Sequence, residues 1–300
     1  MGNYQAVFKR KEIKYLLSSE ERNALLPILN TCMEPDAFAH SSISNLYYDT
    51  PDFRMVRRSL EKPMYKEKLR LRSYGTPEDT STVFPEIKKK AMGIVCKRRI
   101  SLPYQEAVSF LSGQQIASTD TCNGTTQQIA STDMCDGTTR QILHELDWML
   151  ASYENLSPRV FLSYGRDSYK GISDPSLRLT LDQDILFRTD RLDLREGAFG
   201  EAILIPDQTL MEVKISNAAP LWLAQALSEI GIFPVSFSKY GRAYERICRD
   251  PRWRKEMNAH TEIDAHTKIN GHAEIDAHTK MNGTTKMNGH AKEMEMKRYA

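Results

Sequence analysis

From Tyr65 onward the chain alternates between cationic and apolar residues. Lys66, Lys68, Arg70 and Arg72 take one set of alternate positions and Leu69 and Leu71 the other. Successive strand side chains point to opposite faces, so this pattern predicts a strand over 64–74 with one basic and one apolar face. The same alternation recurs at 82–91, where Glu86, Lys88 and Lys90 share a face. At 176–189 Arg178, Thr180, Asp182 and Asp184 oppose Leu177, Leu179 and Leu181, and at 209–216 Glu212, Lys214 and Ser216 oppose Met211, Val213 and Ile215. Further strands are predicted at 5–16, with Glu12 and Lys14 against Ile13 and Tyr15, and at 42–48, 94–102 and 158–169. Strands 82–91 and 94–102 read as a hairpin turning near Met92-Gly93. Helical spacing marks 103–112, 139–153, 219–230 and 239–247, and a capping serine with an acidic first turn opens a helix at Ser18-Ser19-Glu20-Glu21. Asp49-Thr50-Pro51-Asp52 ends the second strand and opens a short helix.

Charge sharpens this picture. Residues 51–100 hold 14 Lys or Arg against 6 Asp or Glu, although the whole chain carries only +2. A sheet with a solvated charged face is the plain reading of such a pattern. A local surplus of cations repels itself, however, and it becomes understandable if the polar faces converge on a polyanion while the apolar faces lie under helices. Both readings remain open on pattern alone.

With 300 residues and 40% hydrophobic content, the chain has enough apolar material for one domain of about 200–250 residues. The boundaries drawn are a domain over 1–250, interrupted by a repeat at 113–139, and a low-complexity tail over 251–300. The 13 residues 114–126 recur at 127–139 with two changes, and two copies are too few for a solenoid, so the repeat reads as a duplicated surface loop. In the tail, Glu-Ile-Asp-Ala-His-Thr-Lys occurs at 262–268 and 274–280, with few large apolar residues to order it. Cys32, Cys96, Cys122, Cys135 and Cys248 show no Cys-x-x-Cys spacing, which argues against a zinc site or a disulfide framework and for a reducing compartment. No apolar run reaches signal-peptide or membrane-span length. A cytoplasmic protein is expected, whose association with a membrane would require a partner protein.

The chain has neither a Gly-x-x-x-x-Gly-Lys-Ser/Thr loop nor a Gly-x-Gly-x-x-Gly, so bound phosphates must be held by side chains. Arginine suits this through its planar fork and lysine as a point charge. No Gly-x-Ser-x-Gly elbow exists, and His40 and His144 have no evident nucleophile beside them, which disfavours acyl transfer. Glu12, Glu86 and Glu212 each precede Lys14, Lys88 and Lys214 by two residues on a strand face. That step balances charge on an exposed face, or it holds a hard cation, Mn²⁺ or Mg²⁺, together with substrate phosphates. Its recurrence on three strands favours the second.

Eight segments in series resemble a known family: Lys-Glu-Ile-Lys-Tyr (11–15), Asn-Leu-Tyr-Tyr-Asp-Thr (45–50), Tyr-Lys-Glu-Lys-Leu-Arg-Leu-Arg-Ser-Tyr-Gly (65–75), Glu-Ile-Lys-Lys-Lys (86–90), Cys-Lys-Arg-Arg (96–99), Leu-Arg-Leu-Thr-Leu-Asp (177–182), Met-Glu-Val-Lys (211–214) and Phe-Ser-Lys-Tyr (237–240). In this order they are similar to the VTC domain of polyphosphate polymerases, among the triphosphate tunnel metalloenzymes and their CYTH relatives, over about 4–249. The resemblance implies an α+β fold, an antiparallel β-barrel of about eight strands with a polar lumen, wrapped by helices. It implies metal-dependent transfer of the terminal phosphoryl of a nucleoside triphosphate, ATP in the first instance, to a growing polyphosphate chain. Arg70, Arg72, Lys88, Arg178 and Lys239 are the implied catalytic cations. Lys14, Lys97, Arg99 and Arg166 join as substrate contacts, with Lys68 and Lys214 on the same strand faces. Glu212 is the implied metal ligand, with Glu86 and Glu12 as further candidates. Near the short helix after Asp52, where the family carries a basic residue, Arg54, Arg57 and Arg58 compete, and neither the repeat nor the tail has a counterpart.

Two alternatives accompany this expectation. A tripolyphosphatase uses nearly the same tunnel with water as acceptor. A non-catalytic polyphosphate or nucleic-acid module would exploit the same basic sheet. Base stacking calls for aromatics among the cations, and Tyr65 shares the opposite face with Leu69 and Leu71, so no nucleic-acid partner is expected.

Overall fold

The computed structural model describes residues 11–92, 94–114, 118–120, 127–129, 137–216, 218–251 and 253. The chain divides into two compact units, Met1–Arg254 and Lys255–Ala300, the second lying outside the described residues together with the tail repeats noted above. The strands of the first unit are β1 (Lys11–Leu17), β2 (Met33–Asp49), β3 (Tyr65–Tyr74), β4 (Thr82–Ala91), β5 (Ile94–Arg99), β6 (Leu102–Pro103), β7 (Ser118–Asp120), β8 (Gln127–Ile129), β9 (Ser157–Gly171), β10 (Arg178–Arg188), β11 (Glu201–Ala202) and β12 (Thr209–Ile215). Its helices are α1 (Ser19–Cys32), α2 (Arg54–Leu60), α3 (Tyr104–Leu111), α4 (Gly137–Ser152), α5 (Leu221–Ile230) and α6 (Lys239–Arg249).

Eight strands pair in the order β1-β12-β10-β9-β2-β3-β4-β5, with β11 beside β10 and β6 beside β4. The pairings of this sheet are antiparallel. The architecture is α+β as expected, but the sheet is open: among the described residues β1 and β5 are its two ends and do not pair. The edge of β1 is partly covered, because Pro234 bridges to Tyr15 and the Val235 amide donates to the Lys14 carbonyl at 2.7 Å. Unpaired edges attract other strands, and β5 answers that hazard with Lys97, Arg98 and Arg99.

Alternation sorts the side chains as the pattern predicts. One face of the sheet carries two apolar cores. Leu46, Tyr48, Leu69, Leu71, Val83, Ile87 and Phe161 pack with α3 and α4 through Ala107, Phe110, Leu111, Ile142, Leu146 and Met149. Tyr15, Leu17, Leu179, Leu181, Met211, Val213 and Ile215 pack with α1 and α5 through Leu25, Leu29, Leu223, Ala226 and Leu227. α1 begins where the capping residues place it, with Ser18 and Glu21 forming a reciprocal capping box. α2 is opened by Asp49, whose carboxylate accepts the Met55 and Val56 amides at 2.8 and 3.0 Å.

Besides the open sheet, three features depart from expectation. β2 starts at Met33, well before residue 42, because its first half forms a ribbon with the end of β9, from the Met33–Gly171 pair to His40–Asp167. The duplicated segment is more than a loop. Its first copy supplies β7 and its second β8, which pair with each other, so duplication placed two extendable segments within hairpin reach. The opposite sheet face is not uniformly polar either. Register places Ile43, Val160 and Leu162 on it, all buried, because α6 packs against β9 on that side.

Candidate polyanion site

Cross-strand partners share a face, so the sheet register lays the charges out in rungs. One rung runs Lys14–Glu212–Thr180–Ser168, and a neighbouring one Leu16–Leu210–Asp182–Arg166. Across the other half, Tyr47–Arg70–Glu86–Arg99 forms one rung and Lys68–Lys88–Lys97 the next.

Two carboxylates organise this face. Glu212 is 7% exposed and takes Lys239 Nζ at 3.0 Å and Lys14 Nζ at 3.1 Å on Oε1, with Arg166 Nη2 at 3.4 Å from Oε2. Burial raises its pKa, but Lys239, Lys14 and Arg166 outweigh that and hold it well below the usual carboxylate range. Asp182, fully buried, accepts both arms of the Arg166 fork at 2.5 and 2.7 Å and the Lys239 ammonium as well. Burial lowers the Lys239 pKa, and Glu212 and Asp182 more than reverse this, leaving it raised. Glu12 pairs with Lys14 at 3.4 Å and faces Lys214 across the strands.

Glu86 is the second node. It accepts Arg70 Nε and Nη2 at 2.7 and 2.5 Å, pairs with Lys97 at 2.8 Å, and has Arg72 and Arg99 each at 3.9 Å. Burial pushes its pKa up, but Arg70, Arg72 and Lys97 bring it down to about 2. Tyr164 joins the two nodes: its hydroxyl accepts from Arg72 at 3.3 Å, and its ring lies 4.6 Å from Lys239 Nζ and 5.2 Å from the Arg166 guanidinium. Arg70 also donates to the Tyr47 hydroxyl at 3.2 Å, and Tyr47 stacks on Tyr240 at 4.4 Å.

The remaining lysines repel one another. Lys66 faces Lys90, Lys68 faces Lys88, and Lys88 faces Lys97 across adjacent strands, an arrangement that destabilises a sheet. Among the described residues Lys66, Lys68, Lys88, Lys90 and Lys214 form no ion pair with a carboxylate; Lys68 donates to Ser238 at 3.2 Å and Lys66 to the Ser59 carbonyl at 3.2 Å. Burial, with Lys88, Lys66 and Lys14 against the counteracting Tyr47, brings Lys68 down to about 8. Burial also brings Lys97 down to about 8, with Glu86 opposing the change. The Lys214 pKa is likewise lowered, by burial first and by Arg166 and Lys88, against Glu12.

Of the fourteen side chains singled out from sequence, Lys14, Arg166, Lys239 and Glu212 meet at one node and Arg70, Arg72, Glu86, Lys97 and Arg99 at the other. Lys68 and Lys88 lie on the same face one step along their strands from the Glu86 rung, Lys214 one step from Glu212, and Glu12 beside Lys214. Arg178 shares the face and the Lys214 rung, but its guanidinium is engaged by Asp36 from the β2 ribbon. Arg57, one of the three competing arginines after Asp52, pairs with Asp52, outside the two nodes. Asp182, Asn45, Tyr47 and Tyr164 were not anticipated as site residues; Asn45 accepts from Arg72 Nε at 3.0 Å. Alternation along β10 puts Asp182 among the polar positions, and only that of β2 and β9 could have placed the other three.

Among the described residues no three His, Cys, Asp or Glu side chains converge as a ready-made metal cage. Mg²⁺ and Mn²⁺ do not require one, since one or two carboxylates with substrate oxygens suffice. Glu212 and Glu12 share the Lys14 ammonium, and the buried Thr180 hydroxyl on the Glu212 rung has no hydrogen-bond partner. That set of oxygens fits a hard divalent cation.

An open antiparallel sheet with cations and carboxylates interlocked on one face defines a candidate polyanion-binding protein. Residues 9–248 match the VTC domain, and the chain belongs to that family. No curated protein sequence matches the chain. Among solved structures it is similar to a candidate adenylate cyclase from Bacillus halodurans, at 18% identity and a TM-score of 0.44 over 76% of this chain and 95% of that one. It is also similar to a candidate adenylyl cyclase from Hippeastrum described as having a dominant triphosphatase activity, at 15% identity and a TM-score of 0.43 over 76% and 92%. Among the described residues no helix is long and apolar enough to cross a membrane.

Proposed function

We propose that the chain is a metal-dependent phosphotransferase that moves the terminal phosphoryl of a nucleoside triphosphate, ATP in the first instance, to the end of a polyphosphate chain. An oxygen of the acceptor's terminal phosphate bonds to the γ-phosphorus, the bond from that phosphorus to the bridging oxygen breaks, and the nucleoside diphosphate leaves. Such transfers need positioning and charge neutralisation more than covalent help. Membership of the VTC family supports a triphosphate substrate.

The observation that carries the choice of acceptor is the state of the carboxylates. A water nucleophile must give up a proton to a base, whereas a phosphate oxygen is already anionic. Glu212 is engaged by Lys14, Arg166 and Lys239 and Glu86 by Arg70 and Lys97, so both carboxylates are already committed to cations and are poor bases. On this reading Arg70, Arg72, Lys88 and Lys239 neutralise the phosphates, with Lys14, Lys68, Lys97, Arg99, Arg166 and Lys214 along the chain's path. Arg178 contributes once Asp36 releases it. Glu212, with Glu12, would hold Mn²⁺ or Mg²⁺, which when bound would supply Lewis-acid polarisation of phosphate oxygens. Glu86 anchors Arg70 and Arg72 for their task of neutralising the phosphates.

Incubating the pure protein with ATP and Mn²⁺ and resolving the products on a gel tests the acceptor. A ladder of long chains is expected. Orthophosphate alone would establish a hydrolase, and unchanged ATP a binding module.

Affinity should also depend on pH. The Lys68 and Lys97 pKa values, lowered to about 8, mean that each ammonium loses its proton as pH rises through 8. Affinity for inorganic tripolyphosphate should therefore fall between pH 7 and 9, by about tenfold for each lysine that must be charged. Lys68→Arg should flatten the fall, as calorimetric titration across that range would show.

A further inference from the structure

The basic face carries an aromatic pair that the phosphate chemistry does not use. Tyr74 follows Arg72 by two residues on β3, and Phe84 precedes Glu86 by two on β4, so alternation puts both rings on the face of the cations. Phe84 is the register partner of Arg72. The rings meet edge to face, with centroids 5.7 Å apart and planes at 78°. The guanidinium of Arg99 lies 4.9 Å above the Phe84 ring while one of its nitrogens stands 3.9 Å from Glu86. Tyr74 is 49% exposed, so a large ring is offered to solvent at the end of a row of phosphate-binding cations. A bare inorganic chain has no use for such a surface.

We propose that Tyr74 and Phe84 take the base of the nucleoside triphosphate, with Arg99 and Arg72 on the phosphate nearest the ribose. This deepens the function proposed above and rests on it. Side chains two apart on one strand face are roughly 7 Å apart, so Phe84 lies one step along β4 from the Arg70–Glu86 rung and Tyr74 two steps along β3. Stacking reads the π-face of a base and not its edge, so purine and pyrimidine triphosphates should bind similarly, with any preference set by stacking strength.

A second surface competes for the same ligand. A cavity of about 210 Å³ lies between the end of β1 and α6, lined among others by Leu16, Ile203, Phe237, Arg242 and Arg246. It is smaller than the roughly 300–1,000 Å³ that holds a whole drug-sized ligand, though large enough for part of one. Nothing in it contacts the Glu86 node, and Arg242 is already paired with Glu245.

Calorimetric titration of ATP and of inorganic tripolyphosphate into the full chain and three variants decides the matter. Tyr74→Ala should weaken ATP roughly tenfold, the scale of one lost base–aromatic stack, and leave tripolyphosphate within about twofold. Tyr74→Phe, which keeps the ring, should bind ATP as the unaltered protein does. Equal losses for both ligands, or an unchanged ATP affinity, would overturn the assignment, as would an ATP-selective loss in Arg246→Gln, which locates the base in the α6 cavity. A protein that binds neither ligand would overturn the functional proposal along with this one, whereas normal tripolyphosphate binding with ATP insensitive to Tyr74 sinks this one alone.

Discussion

Glu212→Gln should lower phosphoryl turnover about 10²–10³-fold, the scale of removing one preorganised electrostatic group from a transfer site. Glutamine keeps the shape of the side chain and one carbonyl oxygen but surrenders the charge that three cations converge on. Asp182 stays behind to hold Arg166 and Lys239, so the face should remain assembled, and thermal unfolding of the variant checks that the rate loss is not a folding loss. Binding supplies an independent measure. Without a divalent cation, tripolyphosphate should bind the variant at least as tightly as the unaltered protein, since a negative charge has left the face. Normal turnover by the variant at limiting Mn²⁺ would rule out Glu212 as the metal-holding residue.

Glu86→Gln should act on stability. Its carboxylate is the one to which Arg70, Lys97, Arg72 and Arg99 are all paired, and its side chain is 1% exposed. Breaking a buried pair by removing one partner costs about 3–5 kcal/mol, because the charge left behind is uncompensated. Lys97 and Arg99 reach water, so the lower end of that range is expected. Urea unfolding at pH 7 measures it. The dependence on acid follows from the same ion pairs. Burial pushes the Glu86 pKa up, and the guanidiniums of Arg70 and Arg72 with Lys97 bring it from its ordinary 4.5 to about 2. A carboxyl whose folded pKa is depressed contributes its full stabilisation above 4.5 and loses it as pH falls toward 2. The gap between the two proteins should therefore narrow in acid. A gap that stays constant from pH 7 to 3 would show that Glu86 acts through packing and not through charge. Tripolyphosphate should restore much of the lost stability, since it brings the missing negative charge to the same four cations.

Both predictions concern carboxylates that sit among cations, and that is the feature by which this face differs from an ordinary solvated sheet. A solvated face has no reason to oppose Lys68 to Lys88 and Lys88 to Lys97. The repulsion is tolerated because α3, α4, α1 and α5 bury the opposite face thoroughly enough to hold the strands in register. A bound polyanion then relieves a cost that the fold already carries.

Much of this was legible from residue order. Alternation in β3, β4, β10 and β12 assigns each side chain to a face without reference to anything distant, since it follows from the geometry of an extended backbone. It correctly separated Arg70, Arg72, Glu86 and Glu212 from Leu69, Leu71, Val213 and Leu181. The same rule applied one step further would have put Tyr74 with the cations, correcting the impression given by Tyr65 that aromatics avoid that face. The capping box at Ser18 and Glu21 was equally local, because a helix start is decided by the amides of its own first turn.

Neighbours across strands were not legible. That Lys239 reaches Asp182 and Glu212, that Tyr164 stands between the two carboxylate nodes, and that Asp36 engages Arg178 all join residues far apart in the chain. Glu67 shows the limit of alternation itself: it lies on the apolar face and is buried there, stabilised by the hydroxyls of Tyr65 and Tyr153, each at 2.6 Å. The open sheet is of the same kind, since closure depends on the summed twist of eight strands and on whether the outermost two meet. An extended strand commits each side chain to one of two sides by itself; which charges then face each other is set by register and by helices that arrive from elsewhere, and those exist only once the chain has folded.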